Sequence, residues 1–196
     1  MQVAASLPRS TGTGSSEIHK ILVDSNMENV YENLLSVNLG TAKNELHRSC
    51  QNLWKNEIRN VSKLRTYCLF KENFETEPYV YKIHDRRKRS LISQFRCGIL
   101  PLKVETGRFS QIPLEFRLCT FCSLDKIEDE FHFFFDCNFY SDFRIEFYDK
   151  IIDVYPYFPD LNNSDRLKLC MNNVLIKDTA NFITKCVEKR NKALYN

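Results

Sequence analysis

Apolar side chains along this chain recur every three or four residues, the period of an α-helix, far more often than they alternate. Between Glu28 and Leu39, Val30, Leu34, Leu35 and Val37 predict a short helix, with Gly40 as its stop. Residues 41–60 predict a second helix, with Leu46, Cys50, Leu53, Trp54 and Ile58 on one side, and residues 63–71 a third, short one. Over 85–99, Leu91, Ile92, Phe95 and Ile99 fall within about a third of the circumference at ~100° per residue. Asp85 is placed to cap this helix, and Gly98 and Pro101 mark its end. Arg86, Arg89 and Arg96 project from roughly the opposite side, so one face should pack and the other should present guanidinium groups. The stretch from there to Phe116 reads as a connector, extended in places. Phe143, Phe147, Ile151 and Val154 again recur at helical spacing, until Pro156 and Pro159 break the chain. Two further helices are predicted at 163–174 and 178–194, the last with Phe182, Ile183, Cys186, Val187 and Leu194 on one face.

Composition agrees with that pattern. Apolar residues make up 43% of the 196, enough for a real core, and the five glycines are too few for an all-β chain of tight turns. The expected fold is mainly α, a helical domain with a compact Cys3His zinc knuckle between helices. Residues 1–16 are small and polar and are expected to be disordered. Residues 17–84 form a helical region, 85–140 a basic helix followed by the knuckle, and 141–196 the C-terminal helices.

Charge divides the middle of the chain. From His84 to Arg117 eight Lys/Arg face three acids, and from Leu124 to Asp149 eight acids face two basic residues. A basic block followed by an acidic one makes a polarised surface. No stretch approaches the ~20 apolar residues needed to span a bilayer, so no membrane partner is expected. Eight cysteines without an export-type leader point to a reducing, intracellular setting, cytoplasmic or nuclear. There, Cys-x-x-Cys pairs bind metal or do redox chemistry more often than they form disulfides.

One such pair begins the most informative motif. Cys119-Thr-Phe-Cys122 is followed by nine residues to His132 and four more to Cys137. Two thiolates on a tight turn, completed by a later imidazole and thiolate, suit the tetrahedral geometry of one structural zinc ion. Zinc binding would supply folding energy here, since the Cys122–His132 loop is polar and has little else to hold it. The plainer alternative has Cys119 and Cys122 as ordinary buried thiols and His132 as a core imidazole among Phe131, Phe133, Phe134 and Phe135. Cys50, Cys68, Cys97, Cys170 and Cys186 are scattered and read as core; His19, His47 and His84 are isolated and read as surface.

Several spaced pieces also share a pattern beyond the ligands: Phe95-Arg96, Glu105-Thr-Gly107-Arg108, Arg117-Leu-Cys119 and Asp129-Glu130-Phe-His132, then Arg144. Residues 89–144 resemble the C-terminal segment of LINE-type (non-LTR) retrotransposon polyproteins, downstream of the reverse transcriptase. The likeness extends over roughly residues 45–150. It implies a zinc-knuckle-bearing, nucleic-acid-binding tail of an RNA-directed DNA polymerase, acting on RNA or single-stranded DNA, with a reverse transcriptase body as a partner in cis or in trans. Neither the polymerase carboxylates nor an endonuclease is contained in these 196 residues, so the resemblance transfers no catalysis.

Phosphate attraction supplies most nonspecific nucleic-acid affinity. Arg86, Arg89, Arg96, Arg108 and Arg117 are the candidate contacts, with Phe109 and Phe116 interleaved for base stacking and Phe95 assigned to the core. Three thiolates on Zn²⁺ leave a net −1 within an already acidic loop, so the metal should order the fold while the basic segment touches the strand. The alternative function is a zinc-stapled protein-interaction module without nucleic-acid binding. No catalytic residues are expected. A zinc deaminase would need His-x-Glu before the Cys-x-x-Cys and an open metal position, and no phosphate-binding Gly-rich loop or nucleophile elbow is present.

Overall fold

A computed structural model describes residues 19–20, 22–24, 28, 39–61, 64, 66–71 and 73–195. The expected disorder over 1–16 lies outside the described residues, and so does nearly all of the helix predicted at 28–39. The chain divides into two compact units, Met1–Glu57 and Ile58–Asn196. Most of helix α1, Leu39–Asn60, belongs to the first. Ala42, Glu45, Leu46, Ser49, Cys50 and Trp54 form its half-buried stripe, at the predicted helical spacing, whereas Leu53 is exposed.

In the second unit, α2 (Tyr67–Phe70) and α3 (Tyr79–Lys82) are single turns. They precede α4 (Arg86–Arg96), α5 (Lys103–Phe109), α6 (Ser141–Val154), α7 (Asn163–Cys170) and α8 (Ile176–Tyr195). The Asp85 carboxylate caps α4 by accepting from the Arg87 and Lys88 amides at 2.8 and 3.1 Å, and Gly98 ends it at φ 64°. The stretch after Pro101 is not an extended connector. Val104, Glu105 and Gly107 are buried within helix α5, and Leu114–Phe116 is a 3-10 turn that packs on it. Among the described residues there is no strand, only one antiparallel bridge between Leu118 and Ile127, so the mainly α expectation holds. No helix among them is long and apolar enough to cross a membrane.

Helix α8 packs against both α4 and α6. Ile92, Phe95, Phe134, Phe147, Phe182 and Ile183 meet there with at most 4% exposure each. Phe134 is the hub, its ring 5.5 Å from Phe95, 5.9 Å from Phe147 and 5.1 Å from Phe182. Because Phe134 belongs to the segment that also supplies His132 and Cys137, this core positions the candidate site. Ile99, Val154 and Leu194, expected on packed faces, are exposed, Ile99 beyond the end of α4 and the other two at the ends of their helices.

Candidate metal centre

The first two ligand candidates sit on a short hairpin. The Cys119 amide donates to the Lys126 carbonyl at 2.9 Å and the Glu128 amide to the Arg117 carbonyl at 3.0 Å, on either side of the Leu118–Ile127 bridge. Asp125 turns the chain at φ 50°. The other two come from a π-helical turn, His132–Asp136, and the residue after it. The Asp129 carboxylate accepts from the His132 amide at 2.8 Å and so starts that turn. A π-turn packs more residues into one revolution than an α-turn. Here it lets His132 and Cys137 face the hairpin while Phe133, Phe134 and Phe135 are buried.

The four donor atoms of Cys119, Cys122, His132 and Cys137 all lie within 4.8 Å of one another. The Cys119 and Cys137 sulfurs are 3.8 Å apart, and the Cys122 sulfur is 3.4 Å from His132 Nε2. An ideal tetrahedral ion with Zn–S near 2.3 Å and Zn–N near 2.05 Å requires about 3.8 Å between sulfurs and about 3.6 Å between sulfur and nitrogen. The arrangement therefore fits a metal ion, and three of the four residues are buried. Simple thiol burial would not bring a fourth donor from a different segment to this distance.

Two of the sulfurs are electrostatically coupled. Hydrogen bonds from the Cys137 thiol, then from His132, the Phe121 amide (3.4 Å) and Cys122, hold the Cys119 thiol far below its ordinary range. The same Cys119–Cys137 contact, with burial, pushes the Cys137 thiol up.

Three arginines that the ligand spacing does not single out, or assigns elsewhere, build the frame. Arg144 is buried and donates from Nε to the Phe134 carbonyl and from Nη2 to the Cys137 carbonyl, both at 2.9 Å, and so fixes the end of the π-turn. Arg190, 3% exposed, forms a two-pronged pair with Glu128, 1% exposed. It donates also to the Pro101 carbonyl at 2.8 Å and lies 4.6 Å over the Phe121 ring, within the Cys-x-x-Cys turn. Glu128 accepts from the Lys103 amide at 2.8 Å, and burial pushes its carboxyl above the usual range despite the Arg190 charge. Arg117 donates from Nε to the Ile112 carbonyl and from Nη1 to the Val104 carbonyl, both at 2.8 Å. Its stem crosses Gly107, where an added Cβ would stand 2.8 Å from Arg117 Cγ. The spacing of Glu105-x-Gly107-Arg108 and Arg117 in the sequence is thus a packing interlock.

The proposed strand contacts fall into two groups. Arg86 is exposed and makes no side-chain hydrogen bond or ion pair with a described residue, whereas its neighbour Arg87 pairs with Glu188 at 3.0 Å. Arg108 is 44% exposed at its side chain and pairs with Glu105 at 3.0 Å. Arg89 is half-buried, with Nη1 donating to the Ile83 carbonyl at 2.8 Å. Arg96 does not stand on an outward face. It is 3% exposed, paired with Glu77 at 2.5 Å and set over the rings of Phe70 (4.9 Å) and Tyr79 (5.3 Å). The helical wheel could not anticipate this, because Phe70, Glu77 and Tyr79 come from the preceding turns. Phe109 and Phe116 are 74% and 68% exposed, and Phe95 is fully buried. Of the remaining cysteines, Cys170 and Cys186 are core; Cys68 is exposed, its thiol donating to the Ile58 carbonyl at 3.3 Å.

Fold and site define a helical protein carrying a Cys3His cluster that can hold a metal ion. No family model matches the chain, and neither a curated protein nor a solved structure matches it.

Proposed function

We propose that Cys119, Cys122, His132 and Cys137 hold one structural zinc ion, and that the chain is a nucleic-acid-binding tail of a retrotransposon-derived RNA-directed DNA polymerase. Three thiolates and one imidazole are a donor set that favours zinc. Four protein donors complete the tetrahedron and leave no position for water, so the metal staples the fold and no catalytic role is assigned to it. What carries the binding reading is the exposure, on one short segment, of Arg108, Phe109 and Phe116. Arg108 lies 5.3 Å over one face of the Phe109 ring, and this pairing of a cation with exposed aromatic surface suits the backbone and bases of a single strand. The segment is held rigid by the Arg117 interlock, so the aromatics need little ordering on binding.

Fluorescence anisotropy with unstructured RNA and DNA oligonucleotides, at several salt concentrations, tests the reading. Arg86→Glu/Arg108→Glu/Phe109→Ala should weaken binding at least tenfold and flatten the salt dependence. Equal affinity in that variant removes the proposal. Arg96 and Arg117 are unsuitable probes, because their substitution disturbs the fold. The aliphatic neighbours Ile112 and Leu114, 37% and 50% exposed, favour one other reading, a protein-docking ridge with zinc as staple. A protein partner retained by Arg86→Glu/Arg108→Glu and lost on Leu114→Asp would support that reading instead.

A further inference from the structure

A second basic feature lies away from the metal centre. Between the start of α4 and the start of α8 is a crevice of about 230 Å³. Ile83, 4% exposed, and Ala180, 1% exposed, supply its apolar floor. Its charged lining is Lys82, Lys88, Lys177 and Asp85, together with His84. The three lysines arrive from different elements: the end of α3, the first turn of α4 and the first turn of α8.

The two occupied ammonium groups bond only to neutral acceptors. Lys82 Nζ donates to the Asn173 carbonyl at 3.1 Å, and Lys88 Nζ to Asn181 Oδ1 at 2.7 Å. Lys177 is exposed and makes no ion pair or side-chain hydrogen bond with a described residue. The one acid on the lining, Asp85, is engaged with the Arg87 and Lys88 amides as the helix cap. Formal charge on the lining is therefore +2 with His84 neutral. Like charges gathered over an apolar floor are less screened than on a flat surface, and focus potential on the crevice.

We infer that this crevice is a phosphate-binding site, in which Lys82, Lys88 and Lys177 close on one phosphate group. Three separate point charges suit a compact, multiply charged anion better than a single carboxylate. The +2 lining attracts a strand's singly charged phosphodiester and, more strongly, a phosphate monoester of about −1.5 to −2 at neutral pH. The phosphate belongs either to a nucleic-acid strand or to a small phosphorylated molecule. Only the first source depends on the function proposed above.

The test uses the full chain with zinc bound. Sodium phosphate titrated at constant ionic strength against a chloride control should produce saturable amide shifts in Lys82–Lys88 and Lys177–Asn181. The Lys82→Gln/Lys88→Gln/Lys177→Gln variant should lose these shifts, and the corresponding Lys→Arg variant should keep them. Shifts no larger than in chloride, or equally large in the Gln variant, overturn the site. Binding of a single-stranded 20-mer separates the sources. If the Gln variant lowers the slope of log affinity against log salt by about 0.7, as the loss of one neutralised single-strand phosphate predicts, the phosphate is the strand's. If wild type shows the phosphate shifts but binds no strand, the ligand is a small phosphorylated molecule and the nucleic-acid reading fails alone. If strand binding is unchanged in the Gln variant and phosphate shifts are absent, the crevice is overturned and the nucleic-acid reading stands.

Discussion

The hairpin that brings Cys119 and Cys122 and the π-turn that brings His132 supply the two halves of one donor set, yet opposite forces hold them. The π-turn is anchored by apolar burial: Phe133 and Phe134 are fully buried, and Phe134 touches the rings of three helices or their flanks. The hairpin tip is bare, with Ser123 through Lys126 exposed, and its ties are mainly polar: the two backbone bonds, the Glu128–Arg190 pair, Glu128 accepting from the Lys103 amide, and Lys126 paired with Asp136 at 2.9 Å, with the Phe121 ring lying against Arg190 and Phe139. One half of the site is thus held by the helical core and the other mainly by polar contacts. A metal ion on the cluster would add its binding energy chiefly to the hairpin half.

Removing the metal should break this comparison most sharply. Chelation, or Cys119→Ser, removes a binding energy on the order of 10 kcal/mol at neutral pH. Amide exchange should then rise first over 117–130 while α6 and α8 stay protected. Purified native protein with no bound zinc by elemental analysis ends the assignment. Attacking the other half, Phe134→Ala should cost about 3–5 kcal/mol through the cavity it leaves. Chemical denaturation measures this, and a loss under 1 kcal/mol would deny the hub role.

The polar tie gives a test with an internal control. Arg190→Met leaves the Glu128 carboxylate buried without its cation and should cost about 3 kcal/mol or more. Adding Glu128→Gln should recover much of that loss, because the uncompensated charge is gone. A double variant as damaged as the single one would mean that Arg190 acts through packing on Phe121.

The smallest effect concerns α4. The Lys88 amide, then that of Arg87, holds the Asp85 carboxyl below its usual range. A depressed folded-state value means that the cap's stabilisation is present above the ordinary carboxylate pKa and fades as pH falls through the folded one. Asp85→Ala should therefore lower the melting temperature slightly at pH 7, and the difference from wild type should shrink below about pH 4. A difference that persists at pH 2 would assign the effect to something other than the carboxylate.

The sequence by itself determined the main amphipathic helices of the second unit and the four residues that come together as a possible metal cluster. Helical period is a local property, and both Asp85 and Gly98 act within one turn of their own positions, so α4, α6 and α8 were readable directly. Cys119, Cys122, His132 and Cys137 were recognisable because metal coordination restricts residue type as well as spacing. Only the tertiary structure decided the fate of the arginines. An arginine on a polar face reads the same whether it meets water or a carboxylate from another segment. Arg96 found Glu77, Arg117 found the space over Gly107, and Arg190 found Glu128, 62 residues away. Helix α5 was missed for the same reason. Seven residues with a glycine near the end carry weak helical propensity, and it is the packing of Val104, Glu105 and Gly107 against the hairpin and Arg117 that makes them a helix.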